Sequence, residues 1–189
     1  MKILPRTEYA GEFAVPGDKS ITHRAIMFNS IAEGEARITN ALLGEDCLST
    51  AACMRALGAK VEIGEDVVSV QGTDKLCDAE CYCGNSGTTM RLLTGLVSGQ
   101  RVNVTLTGDP SLSKRPMERV AKPLRLLGAD IDTTDGCAPV YVRAAKLCGR
   151  EVDTASASAQ VKSALILAAL GADGETFVHE SIKTRDHTE

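Results

Sequence analysis

One order of predicted elements occurs twice along the chain and begins a third time. In each full copy a helical run is followed by a strand, a second helical run that ends in the letters LGA, and two short strands. The first copy runs from AIMFNSIA to VVSVQG, and the second from GTTMRLLTGLVSG to PVYVRA. Gly58 and Gly128 close the two LGA helices, where glycine commonly ends a helix before a strand. If a strand also precedes the first helix of each copy, the module is βαβαββ. The repeat then predicts an α/β (α+β) fold whose modules bury their apolar faces against one another.

The third copy is short. It opens with ASAQVKSALILAALGADG, continues through the strand-like ETFVHES and reaches RDHTE. Asp186 has the position that Asp46 has in the first copy, where we predict the N-cap of the second helix. The third module is therefore expected to be truncated. No linker rich in Ser, Gly or Pro divides the chain, which favours a single lobe.

Composition removes several classes of function. The formal net charge is −4 and the chain contains three Phe, three Tyr and no Trp, so it lacks the basic charge and the stacking side chains of a nucleic-acid binder. The longest mostly apolar run, 163–172, is too short for a membrane span, and the N-terminus lacks the apolar region of a signal peptide. We predict a soluble cytoplasmic protein that acts on small molecules, without nucleic-acid or membrane partners.

Seven cysteines are scattered along the chain, an odd number in a protein large enough to fold without disulfides. They are predicted to be free thiols. Cys77, Cys81 and Cys83 form a cluster, but no second cysteine pair or histidine at ligand spacing completes a tetrahedral site. No metal site is predicted.

The segment PGDKSITHR places cations at the start of the first helix. Lys19, Ser20 and Arg24 lie there beside free backbone N–H groups and the positive end of the helix dipole, which together make an anion site. The alternative is a solvated first turn with Asp18 as its N-cap. Cations at a helix N-terminus oppose the dipole, so their presence favours a bound anion.

The same place in the second module reads CGNSGTTMR. Gly84 and Gly87 allow the backbone to approach a ligand closely. The alternative is a tight turn with a helix cap supplied by Asn85, Ser86 or Thr88. The spacing matches neither a P-loop nor a dinucleotide-binding fingerprint, so nucleotide binding is not supported.

Two further segments carry anion-binding chemistry. ASASAQVKS again brings small hydroxyl residues and one amide, Gln160, to a helix start, and GDPSLSKRPMERV places Arg115 before Pro116, which we predict to be the first helical residue. An arginine can bind a phosphate or carboxylate bidentately, whereas the alternative is a surface Lys-Arg pair, and Lys114 is given no role. If the repeat is also spatial, the three helix starts converge on one concave surface.

A catalytic acid or base is harder to find. His23, His179 and His187 have no serine, cysteine or carboxylate partner at a spacing that assigns a catalytic set, so each is interpreted as structural or solvated. The carboxylates near the proposed anion surface are all interpreted as turn or cap residues: Asp18, Asp46, Asp109 and Asp186.

Five strings, PGDKSITHR, GNSGTTMR, GDPSLSKRP, ASAQVKSA and KTRDHTE, together resemble the bacterial 3-phosphoshikimate 1-carboxyvinyltransferases, or EPSP synthases. They occur in the expected order over essentially the whole chain, which is far more specific than any one of them. Members of this family are longer, so the resemblance covers their N-terminal portion. UDP-N-acetylglucosamine enolpyruvyl transferase shares the fold, but its opening usually reads K-N where this chain has DKSITHR. A third alternative is a non-catalytic anion-binding module that reuses the fold.

The resemblance implies an enolpyruvyl transferase fold of two lobes, each of three modules. Residues 1–13 would give a first strand to the other lobe, and 14–189 would form the N-terminal substrate-binding lobe, incomplete at its C-terminal end. The family transfers the enolpyruvyl group of phosphoenolpyruvate to the 5-hydroxyl of shikimate 3-phosphate, for aromatic amino acid biosynthesis, without metal or cofactor, and usually as a monomer. Its acid and base come from the C-terminal lobe, so this chain alone is expected to be inactive.

Carried over position by position, the resemblance makes Lys19 and Arg115 catalytic. Ala159 stands where some members have a second serine, so only its backbone is expected to contribute. The implied shikimate 3-phosphate contacts are Lys19, Ser20, Arg24, Ser158, Ala159, Gln160 and Arg185. The implied phosphoenolpyruvate contacts are Lys19, Asn85, Gly87, Arg115 and Gln160.

Overall fold

A computed structural model of the chain describes residues 10–154 and 158–182, and it contains the predicted repeat. The first module comprises α1 (Lys19–Ser30), β1 (Glu35–Thr39), α2 (Glu45–Ala56), β2 (Lys60–Ile63) and β3 (Val67–Gln71). The second comprises β4 (Ala79–Tyr82), α3 (Gly87–Gln100), β5 (Val104–Thr107), a 3-10 turn (Leu112–Lys114), α4 (Glu118–Leu126), β6 (Asp130–Thr134) and β7 (Cys137–Arg143). The third contains β8 (Glu151–Thr154), α5 (Ala159–Ala169) and β9 (Phe177–Glu180).

Each module has its own small sheet. The second sheet has the order β4-β5-β7-β6, with β4 parallel to β5 and the other pairs antiparallel. The first has the order β1-β3-β2, and the third pairs β8 with β9 in parallel. Within residues 10–18 the structure forms no strand, and Phe13 is 86% exposed and Val15 is exposed as well. This segment buries no apolar side chain that would offset the entropy of ordering it against β1. That residues 1–13 give a strand to another lobe stays a prediction.

The first helix of every module begins at an equivalent side-chain cap. In each case the side-chain oxygen of the N-cap residue accepts a hydrogen bond from the backbone N–H three residues further on. The distances are 2.8 Å for Asp18 and Ile21, 3.1 Å for Ser86 and Thr89, and 3.4 Å for Ser158 and Val161. These caps fix where α1, α3 and α5 start, and so where the polar residues in their first turns lie.

Two predicted helix starts were wrong. The N-cap of α2 is Gly44 rather than Asp46, because the Gly44 carbonyl already accepts the first helical hydrogen bonds, from the N–H groups of Cys47 and Leu48. The Asp46 carboxylate, inside the first turn, pairs with Lys19. Pro116 lies two residues before α4, because the chain is held at Met117, the N-cap, and Glu118, the first helical residue, whose backbone N–H groups donate to the Gly136 carbonyl.

The second helix of both full modules ends in the same way. Gly58 and Gly128 have φ values of +104° and +97°, the left-handed conformation predicted for the LGA glycines. Within the same turn, Arg55 and Arg125 each donate an Nε hydrogen bond to the carbonyl of the strand that follows, at 2.6 Å and 2.8 Å. The repeat is therefore preserved in hydrogen bonds as well as in element order.

Helix α3 forms the centre of the core. All but two of its residues are buried, and α5 packs along it. The two helices approach closely because Gly95 faces the backbone of Ala164 and Gly99 faces that of Ala168. None of the helices in the described ranges has the length and apolar character that crossing a bilayer requires.

Candidate anion-binding site

The polar first turns of the helices meet at one end of the core. The Nζ atom of Lys19, on α1, lies 2.9 Å from Oδ2 of Asp46, in the first turn of α2. The backbone carbonyl of Asp46 accepts a hydrogen bond from the Thr89 hydroxyl, on α3, at 3.2 Å. Gln160, in the first turn of α5, donates from Nε2 to the Thr88 hydroxyl at 3.0 Å. The spatial convergence that the repeat predicted is therefore present.

Lys19, Ser20 and Arg24 lie on one side of this surface. The hydrogen bond with Asp46, and then its charge, raise the pKa of Lys19, so its ammonium group stays charged at neutral pH. Arg24 donates to the Ser20 carbonyl at 3.2 Å and to the Ser163 hydroxyl, on α5, at 2.8 Å. Burial lowers the pKa of Arg24, but its guanidinium still keeps its proton at neutral pH.

Asn85 and Arg115 are joined in a short chain that ends at Asp109. Arg115 donates to Oδ1 of Asn85 at 2.6 Å, and Nδ2 of Asn85 donates to Oδ2 of Asp109 at 2.6 Å. The other Asp109 oxygen accepts from the backbone N–H of Leu112 at 2.7 Å. The hydrogen bonds from Asn85 and then from Leu112 lower the pKa of Asp109. The carboxylate thus fixes the orientation of the Asn85 amide, and the amide in turn holds Arg115.

Arg91 also lies at this surface, and the sequence analysis did not single it out. It is only 7% exposed, donates to Oε1 of Gln160 at 2.8 Å, and pairs with no carboxylate in the part of the chain that the structure describes. Its Nε atom is buried without a hydrogen-bond partner there. Burial, and then the charges of Arg119 and Arg115, lower the pKa of Arg91. A buried cation among other cations is costly unless an anion joins them.

Gly87 provides the space between two of these cations. A Cβ atom at this position would lie 2.8 Å from one Arg91 nitrogen and 3.3 Å from one Arg115 nitrogen. Two guanidinium groups therefore flank the glycine at the start of α3, where the backbone N–H groups also point outward. A phosphate or carboxylate can receive charge-assisted hydrogen bonds from both. The spacing of GNSGTTMR contained the signal, since Arg91 follows Gly87 by one helical turn.

The remaining predicted residues lie at the start of α5 or beyond it. Ser158 is the N-cap of α5, Ala159 is its first residue, and Gln160 bridges Thr88 and Arg91. Arg185 lies outside the described residues, so the structure gives it no position.

The structure also bears on metal binding. All seven cysteines are free thiols, as predicted. Over residues 10–154 and 158–182, no three His, Cys, Asp or Glu side chains are arranged to hold a metal ion.

His23 gives the protein a predictable pH dependence. Its side chain is fully buried on α1, and burial lowers its pKa from 6.5 to about 4. Between these two values the unfolded chain binds a proton that the native state does not, so stability falls as the pH falls, by about 1.4 kcal/mol per unit. We expect a loss of about 2 kcal/mol between pH 7 and pH 5.

Urea unfolding at pH 7, 6 and 5 measures this loss. His23→Asn should flatten the dependence, whatever its effect on stability at pH 7, whereas His179→Asn, at an exposed position on β9, should leave it unchanged. An equally steep dependence in His23→Asn would show that other groups cause it.

The cations and free backbone N–H groups at the helix starts form a surface that suits a small anion. A family model described as EPSP synthase (3-phosphoshikimate 1-carboxyvinyltransferase) matches residues 3–189. The chain belongs to the EPSP synthase family.

Individual relatives agree with this assignment. A 3-phosphoshikimate 1-carboxyvinyltransferase from Bacillus velezensis is 46% identical over 195 residues, covering 100% of this chain and 46% of the relative. Another, from Roseiflexus castenholzii, is 50% identical over 194 residues, covering 99% of this chain and 45% of the relative. A solved structure of EPSP synthase from Acinetobacter baumannii matches with a TM-score of 0.86 and 48% identity, over 94% of this chain and 42% of that one. The chain thus spans less than half the length of these relatives.

Proposed function

We propose that this chain forms the N-terminal substrate-binding lobe, residues 14–189, of an enzyme that transfers the enolpyruvyl group of phosphoenolpyruvate to the 5-hydroxyl of shikimate 3-phosphate. The observation that carries the proposal is the pair of guanidinium groups, Arg91 and Arg115, on either side of Gly87. Family membership supplies the identity of the anions that such a pair would bind.

The two substrates are assigned to neighbouring parts of the surface. Shikimate 3-phosphate would lie against α1 and the start of α5, and phosphoenolpyruvate against the start of α3. We add Arg91 to the phosphoenolpyruvate contacts because it lies beside Gly87 and Gln160. The proposed shikimate 3-phosphate contacts are Lys19, Ser20, Arg24, Ser158, Ala159, Gln160 and Arg185. The proposed phosphoenolpyruvate contacts are Lys19, Asn85, Gly87, Arg91, Arg115 and Gln160.

These cations suit the proposed reaction because both substrates are anions that repel each other. Bringing them together needs positive charge that is already in place before they bind. In the transfer, the 5-hydroxyl oxygen forms a bond to the enol carbon of phosphoenolpyruvate, and the bond from that carbon to the phosphate oxygen breaks. The methylene carbon gains a proton and later loses one, so an acid and a base are required.

The carboxylates of the described surface do not suit that role. Asp46 is paired with Lys19, and Asp109 accepts hydrogen bonds that lower its pKa, which makes it a weak base. We therefore propose that the acid and base come from the additional length that the relatives have, and that this chain binds substrate without turnover. The proposed setting is a cytoplasmic enzyme that is monomeric at full length, uses small-molecule substrates and needs no cofactor.

Titration of shikimate 3-phosphate and phosphoenolpyruvate, followed by amide chemical shifts, tests the binding assignments. Lys19→Ala is expected to weaken shikimate 3-phosphate binding at least tenfold, and Arg115→Ala to weaken phosphoenolpyruvate binding as much, because each removes a charge-assisted hydrogen bond. Lys114→Ala is the matched control, since Lys114 is exposed and adjacent to Arg115. Equal losses in Arg115→Ala and Lys114→Ala would contradict the site, and phosphate release by the 189-residue chain would contradict the missing acid and base.

A further inference from the structure

Four fully buried side chains form a continuous hydrogen-bonded relay beneath the anion-binding surface. Nδ1 of His23 lies 2.7 Å from the Thr50 hydroxyl oxygen, and that oxygen lies 2.7 Å from the Thr89 hydroxyl oxygen. The Thr89 hydroxyl also lies 2.7 Å from Oγ of Ser86. All four residues are 0% exposed, and they belong to α1, α2, α3 and the N-cap of α3.

The relay has a direction, and its histidine end sets it. Nδ1–H of His23 donates to the Thr50 hydroxyl. The Thr50 proton goes to Thr89 at 2.7 Å rather than to the more distant Asp46 carbonyl at 3.5 Å. The Thr89 proton then goes to Oγ of Ser86 at 2.7 Å or to the Asp46 carbonyl at 3.2 Å. The opposite order would put the imidazole proton on Nε2, which is buried and has no partner in the described part of the chain. A buried N–H without an acceptor costs more than an unused acceptor. The neutral ring with its proton on Nδ1 is therefore favoured.

Both ends of the relay lead to residues of the site. Through the backbone carbonyl of Asp46, the relay fixes the first turn of α2. The carboxylate of the same Asp46 pairs with the Lys19 ammonium. Through Ser86 it fixes the N-cap of α3, between Asn85 and Gly87. The relay thus determines how the start of α3 lies relative to Lys19, and no member of it reaches the surface where a substrate would bind.

We propose that Thr50 is a positioning residue that, through this relay, aligns Lys19 with the start of α3 for substrate binding. The proposal rests on the proposed function, since Lys19 and Gly87 are taken as substrate contacts. Thr50 suits the role because its hydroxyl must accept from His23 and donate to Thr89 at the same time. Burial keeps the imidazole neutral, with a pKa of about 4, so the direction of the relay is constant near neutral pH.

Thr50→Val retains the shape of the side chain and removes the hydroxyl, whereas Thr50→Ser retains the hydroxyl. Thr94→Val is the matched control, because Thr94 is equally buried on α3 but its hydroxyl donates to the carbonyl of Met90 in its own helix. We expect Thr50→Val to weaken shikimate 3-phosphate binding about tenfold, and Thr50→Ser and Thr94→Val to change it less than twofold. The ¹⁵N chemical shifts of the His23 ring should show a protonated Nδ1 in the wild type. Among the three variants, only Thr50→Val should change them.

Three results would overturn the proposal: unchanged affinity in folded Thr50→Val, an equal loss in Thr94→Val, or a wild-type ring with its proton on Nε2. If Thr50→Val does not fold, the wild-type ring-nitrogen shifts and the affinity of Thr50→Ser still test the proposal. A tenfold loss of affinity in Thr50→Ser would contradict the relay, because that variant keeps the hydroxyl. A wild-type chain that binds no shikimate 3-phosphate but has Nδ1 protonated would refute the proposed function and the substrate-aligning role together. Binding with Nε2 protonated would refute the relay alone.

Discussion

Gly95→Ala is expected to lower the free energy of unfolding by about 3 kcal/mol, at the upper end of what overpacking a core costs. The added Cβ would lie 2.6 Å from the carbonyl carbon and 2.7 Å from the Cα atom of Ala164, on α5. Both atoms belong to backbone, so relief requires α3 and α5 to separate. The substitution would ordinarily stabilise a helix by about 1 kcal/mol, so a loss of stability would report the helix contact directly.

Urea unfolding at constant pH measures the effect, read as a change in midpoint at constant slope. Gly44→Ala is the matched control, because nothing lies within 4 Å of the added atom and Gly44 has an ordinary φ of −76°. We expect that control to cost no more than about 1 kcal/mol, because Gly44 is the N-cap of α2 and glycine is a better N-cap than alanine. A Gly95→Ala protein as stable as the wild type would contradict the close packing of α3 on α5, and with it the convergence of their first turns.

The sequence predicted the fold well where the signals are local. Gly58 and Gly128 have the left-handed backbone that the LGA pattern predicts, since a single glycine after a helical run is sufficient to specify that ending. The strand that residues 1–13 would give to another lobe stays a prediction, because a strand also needs a partner and a buried face, and residues 10–13 have neither in the described part of the chain. Asp46 was assigned to a cap on its residue type, but a charged partner from α1 competes for its carboxylate.

The site was predictable in outline only. The motifs identified the helix starts, and the structure brings Asn85 and Arg115 into contact although they are far apart in sequence. The Asp109 carboxylate that orients Asn85 looked like a turn residue, because nothing local shows which amide it meets. The burial of Arg91 is likewise a property of packing, since its partner Gln160 arrives from α5. Long-range contacts of this kind decide which cations lack a counter-ion, and hence where an anion binds.

Arg91→Met is expected to separate binding from stability. Removing a buried cation that has no carboxylate partner in the described part of the chain, and that lies near Arg115 and Arg119, relieves desolvation and repulsion. The free energy of unfolding should therefore stay the same or rise. Affinity for phosphoenolpyruvate should fall on the order of 100-fold, about 3 kcal/mol, because the anion loses a desolvated charge-assisted partner.

Two measurements on the same protein check this: urea unfolding without ligand, and titration of phosphoenolpyruvate in the presence of shikimate 3-phosphate. Arg101→Met is the matched control, because Arg101 ends the same helix but its side chain is 48% exposed and pairs with Asp173 at the surface. That variant should keep its affinity and lose less than about 1 kcal/mol of stability. If Arg91→Met instead unfolds easily and still binds phosphoenolpyruvate, then Arg91 supports the packing of α3 and α5. The anion site would then have to be assigned to Lys19 and Arg115 without it.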